Sequence, residues 1–124
     1  LYISTYNATT FLESFTMNVP TVMYWNPENW ELRNSAIPYF EELKNVGIFH
    51  ETPESAAEHV ANIWADVDSW WNSESVSLVV KRFCKQYADL PKNYLTQIET
   101  ALNEVVDNEK SKSERERERE REVI

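Results

Sequence analysis

The sequence predicts an α/β fold of short parallel strands followed by several C-terminal helices. Three observations carry this. Tyr2-Ile3 ends a short apolar run, and Ala8, Phe11, Leu12 and Phe15 then recur at helical spacing. The β-branched and aromatic run Thr21-Val22-Met23-Tyr24-Trp25 follows, as expected of a buried strand. Strand, helix and strand joined by short connections favour a parallel pair with the helix packed on the sheet. Further on, three segments repeat apolar residues every three or four positions, which marks helices.

Taken in order, Ser4-Thr5-Tyr6-Asn7 forms a polar turn, with Asn7 a candidate cap for a helix near residues 8–17. Asn18 is placed to stop that helix ahead of Val19-Pro20. Asn26-Pro27-Glu28-Asn29 breaks the second strand and leads into Trp30-Glu31-Leu32-Arg33, and Pro38 is expected to divide the helical region that follows. Gly47 suits a left-handed helix end, and Ile48-Phe49-His50 reads as a third strand. Thr52-Pro53-Glu54 opens a helix with a hydroxyl cap, a proline and a first-turn acid; Ala57, Val60, Trp64, Val67 and Trp71 continue its apolar face. Another helix carries Val76, Val79, Val80, Phe83 and Tyr87. A last one, after Pro91, carries Leu95, Ile98, Leu102 and Val105.

Composition bounds the function. The 124 residues include five Trp, six Tyr and five Phe, enough bulky apolar surface for a single core. One Gly is few for a complete sheet-rich enzyme, and Leu1 stands within an apolar run, so the chain is read as the C-terminal piece of a longer protein. Through Lys110 there are 16 acidic and 7 basic side chains, which accounts for the whole net charge of −9. An acidic body argues against nucleic acid as a partner. The single Cys84 allows no internal disulfide and fits a reducing, cytoplasmic setting. No apolar run is long enough for a membrane span, and no clustered metal-ligand spacing exists, so neither a metal nor a cofactor is expected. We divide the chain into residues 1–108 and a low-complexity tail, 109–124, whose alternating Glu and Arg lack an apolar face and should be solvated. Such alternation is also what a repeated GA dinucleotide encodes, and we prefer that origin to a binding role.

The segments Ser4–Glu13, Asn18–Thr21 and Tyr24–Arg33 together resemble a family of transferases in bacterial surface-carbohydrate biosynthesis. The resemblance continues through Pro38-Tyr39-Phe40, Gly47–His50, Thr52–Ala57 and Trp70-Trp71, and ends near Phe83 and Tyr87. More broadly the layout is similar to the C-terminal Rossmann-like half of GT-B glycosyltransferases and of CDP-glycerol glycerophosphotransferases. That resemblance implies a nucleotide-activated sugar or alditol donor, with an N-terminal half of the same protein completing the cleft. It also implies that Ser4, Thr5, Thr9 and Thr10 face the diphosphate and that Glu13 holds the ribose hydroxyls. The glycine-rich turn common in GT-B donor sites is absent here.

From the residues alone, a helix start beside a hydroxyl-rich turn suits phosphate, yet it is also how an ordinary helix begins. Glu13 is a ribose ligand or a plain exposed acid. Arg33 neutralises phosphate or pairs with Glu28 or Glu31. His50, ending a strand, is read as structural ahead of catalytic, and His59 as a surface residue. Trp25 and Trp30 could stack on a base or sugar but are read first as core or rim, Trp70-Trp71 as a packing anchor, and Cys84 as no nucleophile, because no base adjoins it. Two functions compete: the donor-binding part of a nucleotide-sugar-dependent transferase, and a non-catalytic α/β interaction module.

Overall fold

The computed structural model describes residues 1–123, and Ile124, the end of the predicted tail, lies outside them. The chain separates into two compact units, Leu1–Asp89 and Leu90–Ile124. In the first, β1 (Tyr2–Ser4), β2 (Thr21–Tyr24) and β3 (Phe49–His50) form one sheet in the order β1-β2-β3. Both pairs are parallel. Ile3 lies opposite Val22, and Tyr24 opposite His50. The strand–helix–strand unit expected at the start of the chain is therefore present, with α1 (Thr10–Thr16) as its crossover.

Alternation along the strands sends Tyr2, Ser4, Thr21, Met23 and Phe49 to one face and Ile3, Val22, Tyr24 and His50 to the other. The first face is sealed by α1, α2 (Ile37–Asn45) and α5 (Glu74–Tyr87), which contribute Phe11, Phe15, Phe40, Leu43 and Phe83 to one buried cluster. Phe83 is its hub. Its ring centroid lies 6.0 Å from Phe11, 5.7 Å from Phe15, 5.3 Å from Phe40 and 4.8 Å from Tyr87, and all but the tilted Tyr87 pair meet edge to face. The second face is covered by α3 (Pro53–Ile63) with small side chains such as Ala56 and Ala57. A groove of about 570 Å³ remains there between the sheet and α3, bordered by Ile3 (48% exposed) and Trp64 (70% exposed).

Local chemistry explains most boundaries. Asn18 takes φ 55° and ends α1, and Gly47 takes φ 84° and turns the chain from α2 into β3. Thr52 caps α3, its Oγ1 accepting from the Ser55 N–H at 3.2 Å. Three expectations are corrected. Asn7 does not cap α1, because the helix starts at Thr10 with Thr9 at the cap position and no side-chain cap bond. Pro38 opens α2 instead of dividing a longer helix; lacking an N–H, it fits the first turn, and Trp30–Arg33 stay non-helical. The helix read from Ala57 through Trp71 is two, since Asp66 accepts from the Ser69 N–H at 3.0 Å and starts α4 (Val67–Trp71).

The second unit is dominated by α6 (Tyr94–Glu122), which runs without a break through the Glu-Arg stretch. Its Leu95, Ile98, Leu102 and Val105 are exposed, and none of its described residues is buried.

Candidate functional site

Parallel strands in one sheet deliver their carboxyl ends to one edge, where the loops that follow them converge and ligands of open α/β sheets bind. Here three such loops enclose a crevice of about 390 Å³. Thr5 follows β1; Trp25, Asn26, Asn29 and Trp30 follow β2; Thr52 and Glu54 follow β3. Asn26 shapes the middle loop, its Oδ1 accepting from the Glu28 N–H at 3.0 Å and its carbonyl from the Asn29 N–H at 3.0 Å. The loop thereby folds back and presents Trp30, 41% exposed, at the rim. Trp25 is 3% exposed; its indole N–H is buried and has no hydrogen-bond partner. Glu51, also on this wall, pairs with Lys44 at 3.2 Å.

The residues predicted to meet a donor divide among several settings. Thr5 lines the crevice. Ser4 is buried, and its hydroxyl donates to the Tyr6 carbonyl at 3.2 Å. Thr9, Thr10 and Glu13 are exposed at the start of α1, an end that no side chain caps. Arg33 borders a second cavity of about 400 Å³, with Asn7 and Glu31 at its polar side and Phe11, Phe40 and Phe83 beneath. Asn26, Asn29 and Glu54 were read from sequence only as a strand breaker and a helix-opening acid. Their position directly after strand ends was the available signal.

The two histidines sit beneath the sheet's second face. His50 is buried with both ring nitrogens engaged: Nε2 donates to the Gly47 carbonyl at 2.8 Å, and Nδ1 then accepts from the Ser55 hydroxyl at 2.7 Å. That pairing makes it a structural residue, as expected. His59, expected on the surface, is instead half-buried between His50 (ring centroids 5.3 Å apart) and Trp70 (4.8 Å). The bare Cα of Gly47 makes room for its ring, whose Nε2 is buried without a partner. Burial, and secondarily the neighbouring His50, lower the His59 pKa from its ordinary value. Burial alone pushes the Cys84 thiol up, which opposes a nucleophilic role.

Trp70 and Trp71 anchor α4, their indole N–H groups donating to the Val46 carbonyl at 3.0 Å and to Asn18 Oδ1 at 2.9 Å. Among the described residues no group of three or more His, Cys, Asp or Glu could hold a metal ion, and no helix is long and apolar enough to cross a membrane.

A family model described as LIC12162 family transferase matches residues 1–102. Among curated proteins and among solved structures, nothing matches.

Proposed function

Because the chain belongs to the LIC12162 family of transferases, we propose that it binds the activated donor of a cytoplasmic group-transfer step in surface-polysaccharide biosynthesis. In this reading the donor is a nucleotide-linked sugar or alditol. The supporting observation is the parallel β1–α1–β2 unit, whose first strand runs straight into a hydroxyl-rich turn and an uncapped helix start at the carboxyl edge of the sheet. Free amide N–H groups and the positive end of the helix dipole at that position favour a diphosphate, with Thr5, Thr9 and Thr10 supplying hydroxyl donors. Ser4 joins them through the backbone it holds in place, since its own hydroxyl is engaged. Glu13 would accept the ribose hydroxyls, and Arg33 would offset the charge that builds on the departing diphosphate. The general base that activates the acceptor belongs, in this reading, to a companion half of the protein.

Calorimetric titration of a nucleoside diphosphate into the intact protein tests this. Glu13→Gln keeps the side chain's size and removes its charge. Losing a charge-assisted hydrogen bond costs about 1.5–3 kcal/mol, so affinity should fall roughly ten- to a hundredfold. A Thr9→Ala/Thr10→Ala variant should weaken binding as well. Unchanged affinity in both folded variants would remove this segment from the active site. It would leave the interaction-module reading, for which the open groove beside α3 is the favouring feature.

A further inference from the structure

We propose that the crevice at the carboxyl ends of the three strands binds a neutral sugar ring, apart from the phosphate contacts of the opening turn. The proposal rests on the transferase reading only for the choice of a sugar among ring-shaped polyols. The chemistry of the crevice stands on its own residues.

A sugar ring presents an apolar C–H face and a rim of hydroxyls. It is recognised by an accessible aromatic face together with planar side chains that can both donate and accept. Trp30 supplies the face, 41% exposed at the rim. Asn26 spends its Oδ1 on the Glu28 N–H and keeps its amide N–H₂ to donate. The Asn29 side chain and the Glu54 carboxylate have no protein partner among the described residues. Trp25 also borders the crevice, with its ring packed into the core against Phe11, Phe40 and Phe49.

Charge decides against the alternative occupant. The acidic residues that line the crevice are Glu51 and Glu54, its lining includes no Lys or Arg, and Glu51 pairs with Lys44 at 3.2 Å. A phosphate would meet carboxylates here, whereas a hydroxyl would donate to them in a charge-assisted bond. The volume of about 390 Å³ falls at the small end of the roughly 300–1,000 Å³ usual for ligand sites, which suits one ring. With Thr5 shared at the boundary, the diphosphate would lie toward the opening turn and the ring against Trp30, Asn29 and Glu54.

The test follows the indole N–H resonances of the full chain while D-glucose, D-galactose, N-acetyl-D-glucosamine, glycerol and UDP are titrated separately. The expected result is a saturable, millimolar-range shift of the Trp25 and Trp30 signals with at least one of the ring sugars. Trp30→Ala should abolish it, and Glu54→Gln should weaken it about tenfold or more. Unmoved Trp70 and Trp71 signals would show that each variant is folded. Several results would overturn the proposal: no shift with any ring sugar, an equal shift with glycerol, or full sugar affinity in folded Trp30→Ala. A shift of these two signals by UDP alone would overturn it too. UDP binding elsewhere without sugar binding would sink this proposal and spare the donor reading. Sugar binding without UDP binding would do the reverse.

Discussion

The two faces of the sheet are covered by different means. On one, six-membered and indole rings from α1, α2, β3, α4, α5 and Trp25 just after β2 interlock, and Met23 and Leu43 beneath them are fully buried. On the other, α3 lays alanines against Val22 and Tyr24 and leaves a groove between Ile3 and Trp64. Large rings fill space in few orientations, so the first face holds its helices in fixed register. Small side chains bring α3 close to the sheet but cannot reach sideways to cover β1. Stability should therefore reside on the aromatic face, while the α3 face should respond to smaller perturbations.

The sharpest way to break this contrast is Phe83→Ala. Truncating a fully buried hub aromatic typically costs about 3–5 kcal/mol, which is much of the roughly 5–15 kcal/mol that holds a domain folded. Urea unfolding should show a large fall in midpoint or a chain already unfolded. A loss below about 1 kcal/mol would mean that the rings are loosely packed and the contrast is false.

On the α3 face the corresponding probe is Gly47→Ala. A Cβ at this left-handed position would lie 2.8 Å from both ring nitrogens of His59, so the ring must move as well as the backbone strain. The expected cost is about 1–3 kcal/mol. In a His59→Ala background the steric part should vanish and only the backbone part remain, a coupling that a double-mutant cycle reads directly. Equal costs in both backgrounds would show that His59 does not pack over Gly47.

The smallest effect expected is a pH dependence from the same pair of elements. The folded His59 pKa lies below its ordinary value near 6.5, so the native state favours the neutral ring. Below that pH the unfolded chain binds a proton that the folded chain resists. The stabilisation is complete above about pH 6.5 and is lost as pH falls towards the lowered folded pKa. Melting curves between pH 7.5 and about 5 should decline for the wild type and decline less for His59→Phe. Identical slopes would place the responsible group elsewhere.

How much of this was legible in the sequence depends on distance along the chain. The parallel strand–helix–strand unit was legible because each piece announces itself within a few residues: the β-branched and aromatic run at Thr21–Trp25, the helical spacing of Phe11, Leu12 and Phe15, the stops at Asn18 and Gly47. The break at Asp66 was hidden because Trp64 and Trp71 keep helical spacing across it. His59 looked like a surface residue because its burial depends on a glycine from another element, which no local pattern reveals. The crevice was legible at Thr5 and, as aromatic faces that could stack on a base or sugar, at Trp25 and Trp30. Asn26, Asn29 and Glu54 join it through the order of strands in the sheet, so their roles emerge only once β1, β2 and β3 stand side by side.

The five residues of α4 are too few to hold a helix by themselves. Two indole bonds secure them, one to the exit of α1 at Asn18 and one to the exit of α2 at Val46. Both exits lie at the end of the sheet opposite the crevice. The Trp70-Trp71 pair thus acts as a rivet at the end of the fold away from the crevice loops. Amide hydrogen exchange should register this as a gradient: slow at the ends of α1 and α2 that the rivet grips, faster toward the loops that follow the strands.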